Sequence, residues 1–135
     1  MSNLVTYELK GEIAYVGLNR EAKRNAMNDA LVEALHVAVV RAQKEARAGI
    51  LFGHGDNFSS GLDLAELVQR GPIENMQGSR RWAVVFDEVE RGGIPFIAAL
   101  RGAVMGGGRE LAAAAHIGVA DAPAFFAFPE GQRGF

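Results

Sequence analysis

Cysteine is absent from the 135 residues. Disulfide scaffolds, cysteine-ligated zinc and thiol nucleophiles are thereby excluded. An excess of charge of one sign is also missing: 14 Lys and Arg stand against 16 Asp and Glu, for a net charge of −2. No basic stretch extends beyond a pair such as Arg80–Arg81, so binding to a nucleic acid through bulk charge has no support. No apolar run approaches the ~18 residues needed to cross a bilayer, and Met1 to Lys10 has neither the basic start nor the apolar centre of a signal peptide. The expectation is a soluble, cytoplasmic protein with no membrane or nucleic-acid partner.

What remains is globular: 49% of residues are hydrophobic and 22% charged, a balance that disordered chains do not have. The length suits one domain. Glycine is the outlier, with 17 residues against an average near 7%. Gly53, Gly55 and Gly61 surround one segment, and Gly102, Gly106, Gly107 and Gly108 surround another. Both are places for close backbone approach.

Patterning predicts a β-hairpin from Val5–Lys10 and Ile13–Leu18, then a polar, basic loop from Asn19 to Asn28. A helix capped by Asn28 or Asp29 follows, with apolar Leu31, Leu35, Val39, Ala42 and Ala46, to about Arg47, and Gly49 as its terminator. Ile50-Leu51-Phe52 reads as a buried strand emptying into a glycine loop. A second helix spans Met76 to Val89 with Trp82, Val85, Phe86 and Val89 on its apolar face, preceded by a mobile surface segment over Gln69 to Ser79. Pro95 to Leu100 is a strand, a helix opens at Gly106-Gly107-Gly108, and Ile117–Ala120 and Ala124–Phe128 are strands. The order β-β-α-β-α-β-α-β-β predicts an α/β fold with parallel pairing.

A glycine-rich strand-to-helix turn gathers unpaired N–H groups at the positive end of the helix dipole, where an anion is stabilised. A phosphate cradle and a plain tight turn both fit Gly102 to Leu111, although neither Gly-x-x-x-x-Gly-Lys-Ser/Thr nor Gly-x-Gly-x-x-Gly is present. Glu110 lies in the first helical turn before a run of alanines; their burial would desolvate its carboxyl and raise its pKa toward acid–base use. Glu130 follows Phe125-Phe126-Ala127-Phe128-Pro129. Each glutamate taken alone also reads as an ordinary surface acid.

Together these segments resemble the crotonase superfamily, the enoyl-CoA hydratase/isomerase family. Leu18 to Asn28 is similar to its N-terminal loop and Phe58-Ser59-Ser60-Gly61-Leu62-Asp63-Leu64 to its first oxyanion-hole segment. Ile97 through Ala112 is similar to its most recognisable motif, and Phe128-Pro129-Glu130 to its second acidic site. The resemblance implies an α/β ββα spiral, with residues 1–135 its N-terminal core and an incomplete domain, ending before the helical region that builds trimers or hexamers.

It further implies reversible addition of water to a trans-2-enoyl-CoA, with the backbone N–H groups of Leu62 and Gly107 holding the enolate oxygen. Glu110 and Glu130 would share one water. Lys23, Arg24, Ala26, Ser60, Asp63, Leu64, Gly106 and Pro129 match stretches that contact the CoA-bearing substrate. No cofactor is implied beyond coenzyme A within the substrate, and no metal. Enoyl-CoA isomerisation, hydration with lyase chemistry on an aromatic acyl-CoA, or a non-catalytic fragment are the alternatives. Leu62 is bulkier than the small residue common in hydratases, Arg109 adds a charge beside Glu110, and His116 stands where relatives often carry an acid. His36 and His54 read as structural or solvent-exposed.

Overall fold

The computed structural model describes residues 3–121 and 124–127. Strands β1 (Val5–Lys10) and β2 (Ile13–Leu18) form the expected antiparallel hairpin. From β2 onward the pairing is parallel, through β3 (Ala48–Gly53), β4 (Phe96–Leu100) and β6 (Ile117–Ala120), giving the order β1-β2-β3-β4-β6. A second sheet of two parallel strands joins β5 (Ala103–Met105) to β7 (Phe125–Ala127). Phe128, the expected last residue of that final strand, lies outside the described residues.

The helices are α1 (Asp29–Glu45), α2 (Leu64–Gln69), α3 (Pro72–Arg91) and α4 (Gly107–Ala114). Asn28 caps α1 by accepting a hydrogen bond from Leu31 N–H at 2.9 Å, an arrangement that typically contributes about 1 kcal/mol. Leu31, Leu35, Val39 and Ala42 recur at helical spacing and are fully or almost fully buried, as are Ala14, Val16 and Leu18 of β2. Helix α3 adds Val85 and Val89 to the same core, with Phe58, Phe96 and Leu51 completing it. The core therefore lies between the sheet and the α1–α3 pair.

Three expectations change. Residues 69–79 are not a loose surface segment: after α2, Pro72 occupies the first turn of α3 behind Gly71, where its fixed φ and missing N–H suit a helix start. The Gly-Pro pair marks a beginning and not a break. Strand β5 and helix α2 are additional elements, each too short to show a period in sequence. Gly49 does not stop α1, which ends at Glu45; it sits inside β3, paired with Phe96.

A Cβ on Gly49 would lie 2.2 Å from Cε1 of the Phe96 ring, and that ring is fully buried. Strand β6 is exposed along its length, Ile117 to 56% and Val119 to 59%. No helix among the described residues is long and apolar enough to cross a membrane.

Gly49→Ala should destabilise the protein by about 1–3 kcal/mol, the usual cost of overpacking a closed core, even though alanine is intrinsically preferred over glycine in regular structure. Urea unfolding of the two forms checks this; an unchanged midpoint would show that Phe96 has room to yield.

Candidate active site

Parallel strands β3 and β4 each deliver a loop from their C-terminal ends, the place where parallel sheets build sites. What ties the loops together is a buried polar knot. Asn25 and Ser59 are both 0% exposed. The Asn25 side chain accepts from Arg20 N–H at 2.7 Å and donates to the carbonyls of His54 at 3.0 Å and Asn57 at 2.8 Å. Its backbone holds φ +58, a conformation that Asn tolerates better than most residues.

Ser59 Oγ donates to the Asn25 carbonyl at 2.8 Å and accepts from Gly61 N–H at 3.1 Å. Ser59 N–H donates to Ala103 O at 3.0 Å, and Met105 N–H to Ser59 O at 3.1 Å. Asn57 Oδ1 takes Ala103 N–H at 2.9 Å. Three chain segments, around residues 20–27, 54–61 and 101–105, are thus locked in one network.

That network sets two backbone positions side by side. Gly61 has φ +101, and a Cβ there would come within 2.9 Å of Met105 O and 3.3 Å of Gly107 N. Gly106, at φ 51 and ψ −121, starts α4 in a conformation suited to glycine. Gly107 is needed for a different reason: its Cβ would fall 2.3 Å from the Trp82 indole.

Around Leu62, Met27 N–H donates to Gly61 O and Asp63 N–H to Met27 O, at 2.7 and 3.1 Å. Alternation turns the Leu62 N–H away from that bridge. Gly107 is the first residue of α4, where N–H groups have no intrahelical acceptor. Among the described residues, neither Leu62 N–H nor Gly107 N–H has a hydrogen-bond acceptor.

Leu62, Gly107 and Glu110 line one pocket of about 300 Å³, walled by Leu67, Trp82, Ala83 and Phe86, with Arg70, Asn75, Gly78 and Ser79 as its further lining. Trp82 and Phe86 meet edge to face, with centroids 5.2 Å apart. Sequence patterning places both on a core face; they also wall the site, and their i, i+3 spacing from Ser79 and Ala83 is the signal that one helix face serves it. Asn25 and Ser59 carried no signal beyond a polar residue in a motif.

Burial of Glu110 differs from expectation. Its side chain is exposed, and so is Ala113, because the outward face of α4 has no cover among the described residues. Leu62 is 39% exposed, so its bulk lies at the pocket mouth. Glu130 and Pro129 lie outside the described residues.

The remaining candidates gather on one rim. Lys23 and Arg24 are exposed at a 3₁₀ turn, and Ser60 reaches both, donating through N–H to Arg24 O at 3.0 Å and through Oγ to Lys23 O at 3.3 Å. Ala26 O accepts from Arg20 Nη1 at 3.0 Å. Leu64, 70% exposed, is the first residue of α2. Asp63 differs, because its carboxylate faces inward: it pairs with Arg20 at 2.8 Å and accepts from Glu66 N–H at 3.3 Å to cap α2. The Arg20 guanidinium, more than the cap, holds its pKa below the usual carboxylate value.

Two histidines, His54 and His116, take structural positions. His54 Nε2 meets Thr6 Oγ1 at 2.7 Å. His116 Nδ1 accepts from Phe96 N–H at 3.0 Å, and its Nε2 donates to Glu90 O at 2.9 Å. His116 therefore ties the end of α3 to the start of β4. Among the described residues there is no cluster of three metal-ligating side chains.

The enoyl-CoA hydratase/isomerase family model matches residues 8–135. The chain belongs to this family. It is 32% identical over 131 residues to the short-chain-enoyl-CoA hydratase of Clostridium acetobutylicum, covering 95% of this chain and 50% of the relative. Identity is also 32%, over 139 residues, with the mitochondrial Delta(3,5)-Delta(2,4)-dienoyl-CoA isomerase of Mus musculus, covering 90% and 41%. The solved enoyl-CoA hydratase of Thermoplasma volcanium GSS1 superposes with a TM-score of 0.92 at 32% identity, over 99% of this chain and 54% of that one. The mixed α/β architecture expected from the crotonase resemblance is the one observed. The chain spans about half the length of the curated relatives it matches.

Two outcomes test the geometry of this crotonase chain. Asn25→Asp keeps the shape but replaces two N–H donors with an acceptor facing two carbonyls; stability should fall by about 2 kcal/mol or more, read as a lowered melting temperature. Asp63 contributes stability fully above its unfolded value near 3.8, lost as pH falls through its depressed folded value. Asp63→Asn should therefore be less stable than the parent at neutral pH, with the two melting curves converging in acid.

Proposed function

We propose that the pocket holds the thioester carbonyl of a trans-2-enoyl-CoA and that the protein adds water to it reversibly. The observation that carries this reading is the convergence of two backbone N–H groups without an acceptor among the described residues, on Leu62 and Gly107, with the Glu110 side chain on one apolar-walled pocket. Hydration places negative charge on the thioester oxygen. Fixed donors aimed at that oxygen stabilise the enolate without reorganising at the moment of reaction, and the N-terminal end of α4 adds its dipole.

In the forward direction the water oxygen bonds to Cβ while the C=C electron pair moves onto the thioester oxygen. Glu110 takes a proton from the water as it attacks. Glu130, assigned by its place in Phe128-Pro129-Glu130, gives a proton to Cα as the enolate collapses. The sum is addition of H and OH across the double bond, and proton exchange between the two acids resets them. Lys23 and Arg24 supply positive charge for the CoA phosphates, with Ala26, Ser60, Leu64, Gly106 and Pro129 as further neighbours of the substrate. Asp63, whose carboxylate engages Arg20, acts here by fixing the rim. The 135 residues form the N-terminal spiral core of such an enzyme, which assembles as a trimer or hexamer.

A second reading has support from the dienoyl-CoA isomerase relative: one carboxylate moving a proton between carbons would need the same donors and no water. The product distinguishes the two.

With crotonyl-CoA, loss of enoyl absorbance should fall about 10²- to 10⁴-fold in Glu110→Gln and again in Glu130→Gln. Equal rates in all three proteins would overturn the two-carboxylate assignment. Double-bond migration in a trans-3-enoyl-CoA without hydration of crotonyl-CoA would favour isomerisation.

A further inference from the structure

The end of the pocket away from Gly107 is polar, and its charges already cancel. Arg70 pairs with Asp29 and, at 3.5 Å, with Glu66, while Arg81 pairs with the same Asp29 at 2.6 Å. Arg70 Nε donates to Asn75 Oδ1 at 3.1 Å. That bond fixes the amide, whose Nδ2 donates to Leu67 O at 3.4 Å and has a second hydrogen without an acceptor among the described residues. Among the described residues the Ser79 hydroxyl has no partner. Gly78 keeps the space open, since a Cβ there would lie 3.1 Å from Arg70 Nη2. Among the described residues one Asn75 N–H and the exposed Ser79 hydroxyl are thus left for a ligand, beside guanidinium groups whose charge is already balanced.

Helix geometry gives the distance. Trp82 touches the Gly107 position, and Asn75 lies seven residues earlier on the same face of α3, about 10 Å along the axis at 1.5 Å per residue. Counted from the thioester oxygen beside Gly107, an extended acyl chain advancing roughly 1.3 Å per bond covers that span in seven or eight bonds, which reaches C7 or C8.

Resting on the enoyl-CoA reading above, we infer that the acyl group accepted here carries a neutral, hydrogen-bond-accepting oxygen, a ketone or hydroxyl, near its seventh or eighth carbon, received by Asn75 and Ser79 beside Arg70. A terminal carboxylate fits worse, because Asp29 and Glu66 already neutralise both guanidinium groups. A plain methyl end fits worse too, because it would shield the half-buried Asn75 N–H from water without offering it an acceptor.

Trp82 is the single tryptophan of the chain and walls the pocket, so its fluorescence reports occupancy by unreactive saturated esters. Butyryl-CoA, octanoyl-CoA, 7-oxooctanoyl-CoA and octanedioyl-CoA are titrated against the parent, Ser79→Ala and Asn75→Leu. The 7-oxo ester should bind roughly threefold to tenfold more tightly than octanoyl-CoA, the factor one net hydrogen bond supplies, with octanedioyl-CoA no tighter than octanoyl-CoA. Both variants should bring the 7-oxo to octanoyl ratio close to one. Equal binding of the 7-oxo and octanoyl esters, a preference for octanedioyl-CoA, or a ratio untouched by both substitutions would overturn the inference while leaving the enoyl-CoA reading standing. Failure of every ester to bind, butyryl-CoA included, would overturn both.

Discussion

The hydrogen bonds that converge on Asn25 and Ser59 set the distance between the two glycine loops, and everything at the site follows from that distance. Neither side chain faces solvent, and together they satisfy backbone groups in two separate segments, while the Ser59 backbone ties in a third. A buried network of this kind is costly when any member is missing, because each abandoned donor or acceptor stays desolvated. Apolar side chains of the same size could fill the volume, but they could not fix Gly61 against Gly107. The polar knot therefore specifies geometry that packing alone would leave adjustable.

Packing contributes the other half of the placement. The Trp82 indole lies where any side chain on Gly107 would be, so helix α3 presses directly on the first turn of α4. The same indole meets Phe86 edge to face. Shape and donor position are thus coupled: the residue pair that forms the apolar wall also holds the backbone whose N–H faces the pocket. Beyond that wall, the Asp29, Glu66, Arg70 and Arg81 group binds the start of α1 to both ends of α2 and to the middle of α3. The pocket is built by contacts among helices as much as by loops from the sheet.

Much of this was legible in the sequence, for identifiable reasons. Apolar runs of strand length bounded by glycines gave β2, β3 and β4, and the spacing of Leu31, Leu35, Val39 and Ala42 gave α1. The glycine clusters and Glu110 pointed to the loops that meet at the pocket. Gly49 misled because a glycine needed for contact with Phe96 carries the same letter as one that stops a helix. Gly71-Pro72 misled because punctuation marks starts as well as ends. Asn25 was invisible, since its role depends on carbonyls nearly thirty and more residues away. Exposure of Glu110 was equally hidden, because alanine is as compatible with an uncovered helix face as with a buried one.

The strand order of the main sheet has a consequence for synthesis. Beginning with the hairpin, each strand pairs with one already made, and none is inserted later between two earlier neighbours. A chain leaving the ribosome can therefore lay down this sheet in the direction of translation, closing each crossover before the next strand emerges. Nascent-chain folding by N-terminal parts first here leaves a single growing edge, β6, instead of several open ones. The hydrogen-bond ladder acts as its own template from one end to the other.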